Sequence, residues 1–291
     1  MSKATTSVAQ AWGHGLLGML IFSASMPATR AAVAGFDPLF LTAARAAIAG
    51  ALGLATLKVL NAPWPRAGDW PRLVLVAAGV VLGFPLFSAL ALTRITSAHS
   101  LIWIGLLPLA TALFGVLLAG ERPPARFWAF AVAGAACVVG FAATRSHGGE
   151  AAGDALMAAA VVAAGLGYVE GARLTTRLGG WQVISWALLL ALPFSAVAAY
   201  LLHPVQWPSG AAPWAGLAYV SLFSMWIGFV FWYRGLALGG IAAVGQLQLL
   251  QPFFGLALSA LLLREAVSAS TYAVAGAVLV CVVGARRTAR R

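Results

Sequence analysis

The sequence predicts an all-α membrane protein with ten transmembrane helices, arranged as two inverted five-helix repeats. The first observation is composition: 62% of the 291 residues are hydrophobic and 9% are charged, whereas a soluble domain carries about a quarter charged residues. The second is a series of apolar runs of membrane-spanning length. The third is a similarity between the two halves of the chain at an interval of 144 residues.

Ten apolar runs come close to the roughly 20 residues that a helix needs to cross the hydrocarbon core. Short polar stretches separate them, such as "GFDP" at 35–38 and "GERPP" at 120–124, and their glycines and prolines favour turns. The runs are too long and too apolar for strands of a closed barrel. The predicted spans are 11–31, 38–60, 72–92, 98–119, 126–144, 154–173, 181–202, 213–235, 241–263 and 268–285.

The distribution of basic residues predicts the orientation of these spans. With a cytoplasmic N-terminus, thirteen of the eighteen lysines and arginines fall on the inner side and four on the outer side, and Arg45 lies within span two. This bias follows the positive-inside rule. It predicts a multi-pass protein of the cell inner (plasma) membrane with both termini cytoplasmic. The lysines and arginines at the ends of the spans favour membrane lipids as partners, and nucleic acid is not expected. The four outer residues are Arg30, Arg94, Arg145 and Arg264.

The similarity between the halves predicts their relative orientation. Pro108 corresponds to Pro252, Glu121 to Glu265, and "CVVG" at 137–140 recurs at 281–284. Because five spans is an odd number, a second copy enters the membrane upside down, as in many secondary transporters. We therefore predict repeats at 1–148 and 149–291. The inversion also leads us to expect Cys137 and Cys281 at opposite ends of their spans, unable to pair.

Three amides and a proline interrupt span nine, which reads "AAVGQLQLLQPFFG" at 242–255. Amides facing lipid are costly, so Gln248 and Gln251, three residues apart, should face protein or a water-filled cavity. Cavity lining is favoured for these two, with interhelical hydrogen bonding as the alternative. That alternative is favoured for Gln246. Pro252 should break the helix at this depth.

Other candidates for a substrate cavity lie in spans three, four, six and eight. Trp103 could line a cavity or belong to the aromatic belt, and His99 could equally be an interfacial histidine. The aromatic stripe of span eight could be packing rather than a binding surface. The candidate cavity residues, with the two glutamines, are Phe84, Phe87, His99, Trp103, Tyr168 and Phe229.

Glu170 is interpreted as the carboxylate that lies deepest in the membrane. An intramembrane carboxylate is a functional candidate, so Glu170 or His99 could carry a coupling proton. An interfacial ion pair with Arg173 is the favoured interpretation of Glu170. Arg30 and Arg45 are expected near the outer boundary, which leaves no evident basic cavity for a strongly anionic solute. Glu265, at a span end, is expected to cap a loop.

The proline followed thirteen residues later by glutamate in "PLATALFGVLLAGE" and "PFFGLALSALLLRE", together with "FSASMPATRAAVAGFDPLFLTAARAAIAGAL" at 22–52, resembles the drug/metabolite transporter superfamily, EamA type. The resemblance covers nearly the whole chain. It implies ten helices around a cavity lined by spans 1, 3, 4, 6, 8 and 9. It also implies export of small metabolites such as amino acids. Phe22-Ser23 departs from the Trp-Gly/Ser usual in span one of the family.

We therefore expect a monomeric, secondary-active exporter that works by alternating access on amino acids or on aromatic or amphipathic compounds. A channel or a lipid-interacting scaffold is the alternative. An intramembrane enzyme is disfavoured, because the sequence lacks H-E-x-x-H and G-x-S-x-G motifs and offers no metal-ligand spacing. No cofactor is expected, and the absence of a G-x-x-x-x-G-K-[ST] loop argues against direct use of ATP.

Overall fold

The computed structural model describes residues 3–120, 124–145, 149–239 and 244–289, and the regular structure within these ranges is helical, without strands. Helical rods, some of them containing a break, are numbered α1 to α10 in chain order. Their bounds are α1 Lys3–Ser23 and Ser25–Val33; α2 Pro38–Val59; α3 Ala67–Asp69, Trp70–Val76, Ala77–Gly83 and Phe84–Ala91; α4 Ser97–Ile104 and Leu107–Ala119; α5 Ala125–Arg145; α6 Gly149–Leu178; α7 Gly180–Leu201; α8 Ala211–Tyr219, Val220–Ile227 and Gly228–Gly239; α9 Gly245–Leu250 and Gln251–Leu263; and α10 Ala269–Ala289.

The described residues contain seven helical stretches that are long and apolar enough to cross a membrane. These belong to α1, α2, α3, α4, α6, α7 and α8. Three further apolar helices are shorter, over Ala125–Phe141, Leu247–Leu263 and Ala269–Cys281. The chain is accordingly a multi-pass membrane protein. Each interval predicted from the sequence overlaps one helical rod wherever the structure describes it, and that all ten cross the membrane stays a prediction.

Local sequence explains where several rods begin and break. Asp37 caps α2 by accepting hydrogen bonds from the backbone amides of Leu39 at 2.8 Å and Phe40 at 3.3 Å, and Pro38 follows at the first helical position. Pro108 and Pro252 each occupy the second position of a new helical segment. Because proline has no amide hydrogen, the regular helix is interrupted just before it in both α4 and α9.

The bounds of several rods repeat at the interval found in the sequence. Leu107–Ala119 and Gln251–Leu263 differ by 144 at both ends, and so do Ala125–Arg145 and Ala269–Ala289. The residues that end the first of these pairs, Gly120 and Arg264, have left-handed φ values of 69° and 53°. The π-helical segments of α3 and α8, Ala77–Gly83 and Val220–Ile227, also correspond to within one residue.

Each rod of the first half, α1 to α5, packs against a rod of the second half, α6 to α10. α1 packs on α8 and α3 on α6, whereas α2 packs on α7, α4 on α9 and α5 on α10. Glycine permits the closest approach between α3 and α6: a Cβ atom at Gly79 would lie 2.5 Å from the carbonyl oxygen of Ala163. Small residues serve this purpose in membrane helices because close packing between backbones replaces the hydrophobic effect.

The two cysteines meet where α5 packs on α10. The side chains of Cys281 and Cys137 lie close enough to interact, and both are free thiols. The prediction that they lie at opposite ends of their spans is therefore wrong. Each lies only two residues past the middle of a 21-residue helix, about 3 Å along the axis, so neither cysteine is near a helix end.

Candidate functional site

A cavity lies where α1, α2, α3, α4, α6, α8 and α9 converge. Its volume is about 20 Å³, room for about one water molecule. A solute as large as an amino acid would fit only if the walls separated. The cavity is lined by Phe22, Ser25, Arg45, Val80, Phe84, Leu107, Ala164, Tyr168, Ser224, Met225, Phe229 and Gln251.

Four of the residues predicted for a substrate cavity line this space, namely Phe84, Tyr168, Phe229 and Gln251. Gln248 does not line it, but its buried side chain lies close enough to that of Tyr168 to interact, and its Nε2 atom has no hydrogen-bond partner. The amide nitrogen of Gln251 donates to the carbonyl of Phe22 at 3.4 Å, and its Oε1 atom has no hydrogen-bond partner. Three other predicted residues, Phe87, His99 and Trp103, are not among the lining residues. The side chain of Gln246 and the whole of Glu121 lie outside the described part of the structure.

One wall of the cavity is polar and carries a cation. Arg45 is 3% exposed, and its Nη2 donates to the carbonyl of Val220 at 3.2 Å and to the hydroxyl of Ser224 at 3.4 Å. The Ser224 hydroxyl also lies 2.8 Å from that of Ser25. The expectation that the cavity has no basic group is therefore wrong, because Arg45 lines it. α2 directs its side chain inward toward the π-helical segment of α8.

Aromatic rings form another wall. The ring centroids of Phe22 and Phe229 are 5.0 Å apart, and those of Tyr168 and Phe229 are 6.0 Å apart. Trp232, 1% exposed, lies behind this layer with its ring 6.1 Å from that of Tyr168. Such tilted and edge-to-face pairs are favourable for quadrupolar rings. The cavity therefore presents an apolar, aromatic face in addition to the polar cluster.

His99 and Trp103 belong to a separate cluster, between α4 and α6. Both contact Asp154, which is 5% exposed. Trp103 Nε1 donates to Asp154 Oδ1 at 2.7 Å, and His99 Nε2 lies 2.9 Å from the same oxygen. The other carboxylate oxygen, Asp154 Oδ2, has no hydrogen-bond partner. Asp154 was not singled out from the sequence because it begins a predicted span and resembles an ordinary helix-end carboxylate.

Glu170 is held between two arginines. Arg173 Nη1 donates to Glu170 Oε1 at 2.6 Å, and Arg72 Nε lies 3.6 Å from Glu170 Oε2. Nearby, Asp69 pairs with Arg177. These contacts tie the first turns of α3 to the last turns of α6. The geometry favours the ion pair over a free intramembrane carboxylate, and it adds Arg72 as a second partner.

Glu265 links three parts of the chain at the ends of the rods that lie opposite to the Glu170 cluster. Its carboxylate accepts hydrogen bonds from the amides of Ser97 at 3.1 Å and Ala98 at 3.0 Å, so it caps the beginning of α4. Arg30 of α1 lies 4.0 Å from it. The hydroxyls of Ser97 and Ser259 are 2.6 Å apart. Glu265 is thus a capping residue, but it caps a helix of the other half rather than its own loop. Within the described ranges, no three His, Cys, Asp or Glu side chains come together as a metal site would require.

These features define a polytopic helical membrane protein with a polar and aromatic cavity among helices of both halves. The sequence matches the EamA-like transporter family twice, over residues 12–142 and 151–286. The chain belongs to this family and is a transporter, as the resemblance in its sequence had predicted.

Three relatives illustrate the similarity. The chain is 56% identical over its full length to the full length of a Bacillus subtilis (strain 168) protein named "Uncharacterized transporter YdeK". It is 28% identical to "Aromatic amino acid exporter YddG" of Ancylobacter novellus, with 82% of this chain and 83% of that protein aligned. A solved structure titled "Crystal structure of protein" superposes with a TM-score of 0.69 at 26% identity, covering 97% of this chain and 99% of the other.

Proposed function

We propose that this transporter is a secondary-active carrier that exports small metabolites, such as amino acids or aromatic and amphipathic compounds, by alternating access. It would act as a monomer in the inner (plasma) membrane, with both termini in the cytoplasm. Ten helices would cross the membrane as two inverted repeats, residues 1–148 and 149–291. The observation that carries the proposal is the cavity, because residues of both halves line it and it is too small for a solute in this conformation.

Three features support the inverted repeat. The helix bounds recur at an interval of 144 residues, most clearly in Leu107–Ala119 and Gln251–Leu263. α1 packs on α8, and their counterparts in the other half, α6 and α3, pack on each other. A two-fold axis between the halves would produce this pair of contacts. The family match also occurs twice, once in each half. If the three shorter apolar helices cross with the seven longer ones, each half contributes five spans.

Contacts at both ends of the rods support alternating access. In the proposed orientation, Glu265 joins the halves at the outer end, through Arg30 and the first turn of α4. Asp69 and Arg177 join them at the inner end. A carrier needs such contacts to form and break in turn, since both ends must never be open together. Broken helices near the midplane, like α4 and α9, are where transporters commonly hold substrate.

Coupling to protons is proposed through His99 and Asp154. The two side chains are buried and 2.9 Å apart, and histidine is the side chain that most readily changes charge near neutral pH. Glu170 is the weaker candidate for a proton carrier, because Arg72 and Arg173 already occupy its carboxylate. The name of the exporter from Ancylobacter novellus supports amino acids as the first solutes to test.

Counterflow in proteoliposomes tests the carrier directly. Vesicles loaded with unlabelled L-phenylalanine or another amino acid should take up the labelled compound, with a rate that saturates and that internal solute stimulates. Flux that never saturates and shows no exchange would instead indicate a channel. Topology is tested separately with single cysteines placed near residues 60 and 204 in a protein lacking Cys137 and Cys281. Membrane-impermeant labelling of both positions from the same side would contradict the inverted repeat.

A further inference from the structure

We infer that Arg45 is a carboxylate-binding subsite of the central cavity, so that the solute is a monocarboxylate with an apolar or aromatic body, a class that includes amino acids. This inference rests on the proposed carrier function and narrows its substrate. It depends on the position of Arg45, on its lack of an acidic partner and on the groups that surround it.

Arg45 reaches the cavity from well inside α2. It is the eighth residue of this helix, about 10 Å along the axis from the first residue. A guanidinium carries five N–H donors. In the described part of the chain, only Nη2 donates to protein groups, namely the carbonyl of Val220 and the hydroxyl of Ser224. Nε is buried and has no partner. Arg45 therefore has unused donors beside the cavity that it lines.

The positive charge of Arg45 is not balanced by a carboxylate in the described part of the chain. The four pairs of an arginine with a carboxylate found there involve Arg30, Arg72, Arg173 and Arg177. The lining residues of the cavity include no aspartate or glutamate. An unpaired buried charge is costly, and an anion entering the cavity would offset that cost.

The chemistry of the cavity favours a single carboxylate over a more highly charged anion. The guanidinium fork matches a carboxylate with two parallel hydrogen bonds, and one cation balances one negative charge. The hydroxyls of Ser25 and Ser224 lie beside it, 2.8 Å apart, and the one that accepts in this pair keeps its hydrogen as a further donor. A phosphate dianion would call for more than one cation, and Arg45 is the only basic residue among those that line the cavity.

The remaining walls suit the rest of such a solute. Phe22, Tyr168 and Phe229 offer ring faces to an apolar or aromatic body. The unpaired Oε1 of Gln251 is an acceptor for an ammonium group, and the rings attract a cation as well. A zwitterionic amino acid could therefore place its carboxylate on Arg45 and its ammonium near Gln251.

The test compares acids with their carboxamides, which have nearly the same shape and lack the negative charge. Thermal stabilisation of the purified protein is measured with L-phenylalanine and L-phenylalaninamide, L-leucine and L-leucinamide, and phenylacetate and phenylacetamide. We expect the acids to stabilise the protein at concentrations ~10- to 100-fold lower than the amides, the difference expected for a charged hydrogen bond. Arg45→Gln should remove this preference, and Arg45→Lys should retain part of it. Arg94→Gln, at an exposed arginine, is the matched control and should leave it unchanged.

Three results would overturn the inference: amides that stabilise the protein as well as the acids do, an Arg45→Gln variant that keeps the preference, or no stabilisation by any acid. If Arg45→Gln fails to fold, the comparison of acids and amides on the unchanged protein decides alone. The carrier proposal fails independently. If the amides show saturable counterflow as the acids do, the protein is a carrier but Arg45 has no role in selecting a carboxylate. If flux does not saturate and the preference for acids remains, Arg45 binds carboxylates but the protein is not a carrier.

Discussion

Leu107 and Gln251 lie 144 residues apart, each at the start of the second segment of its rod, and both line the same cavity. Val80 and Ser224 are separated by the same interval and line it too. In each pair the first half contributes an apolar side chain and the second half a polar one. The 144-residue repeat therefore explains why both members of each pair line the cavity. The difference in polarity between the two members explains why one side of the cavity is polar.

Replacement of Gln251 by leucine should impair transport without unfolding the protein. The substitution removes the unpaired Oε1 and one long hydrogen bond. Since leucine has a similar volume, we expect a change of less than ~1 kcal/mol in stability. We expect transport to fall about tenfold, as for loss of one hydrogen bond to a charged group. Initial rates in proteoliposomes and the melting temperature in detergent measure the two effects. Gln206→Leu, at an exposed loop position, is the control. Normal transport by Gln251→Leu would remove this residue from the site.

Replacement of His99 by glutamine, or of Asp154 by asparagine, should uncouple transport from the proton gradient. Their side chains form the buried pair between α4 and α6, and neither replacement can gain or lose a proton near neutral pH. We expect exchange of solute to continue while the stimulation by a pH gradient disappears. His203→Gln, at an exposed histidine, should behave like the unchanged protein. If the pH response survives in both variants, coupling lies elsewhere.

In the proposed orientation, replacement of Glu265 by glutamine should loosen the closure at the outer end. The neutral amide loses the attraction of Arg30 and caps the beginning of α4 less well, a loss of roughly 1–2 kcal/mol. We expect roughly tenfold faster labelling from outside of a cysteine placed at Ser224, in a background without Cys137 and Cys281. Glu150→Gln, in the first turn of α6, is the control. Equal labelling rates in both variants would show that Glu265 does not hold this end closed.

Replacement of Gly79 by alanine should destabilise the contact between α3 and α6. The added Cβ would lie 2.5 Å from the Ala163 carbonyl oxygen and 2.9 Å from the Gly167 amide nitrogen, and neither backbone atom can move independently. A cost of ~1–3 kcal/mol is expected for such overpacking, seen as a lower melting temperature in detergent. Gly13→Ala introduces the same methyl group in α1 with nothing within 4 Å. A melting temperature as high as that of Gly13→Ala would contradict the close approach.

Oxidation should join Cys137 to Cys281 within one chain. The two side chains lie close enough to interact between α5 and α10, so copper phenanthroline should remove both thiols from maleimide labelling without producing a dimer. In Cys281→Ser, Cys137 should remain available for labelling. Full labelling of both cysteines after oxidation would contradict this packing of α5 on α10.

Much of the architecture was predictable because the requirements for helices in lipid are local. The helical intervals follow from unbroken apolar runs, and the breaks in α4 and α9 follow from Pro108 and Pro252. Gln251, Tyr168, Phe84 and Phe229, which line the cavity, could also be selected as candidates from the sequence, because an amide or an aromatic stripe is unusual in an apolar segment. Membership of the transporter family follows from the same linear patterns.

Partners were not predictable, because they depend on how helices distant in the chain pack. Arg45 donates a hydrogen bond to Ser224, 179 residues away in the chain, and Trp103 donates one to Asp154, 51 residues away. Cys137 and Cys281 were expected to be apart and are in contact. The sequence by itself determined which segments are helical and where they break, since backbone hydrogen bonds in lipid must close within each segment. Only the tertiary structure decided that a cation, an amide and a ring face share one cavity, since the rotation of each helix against its neighbours determines which side chains meet.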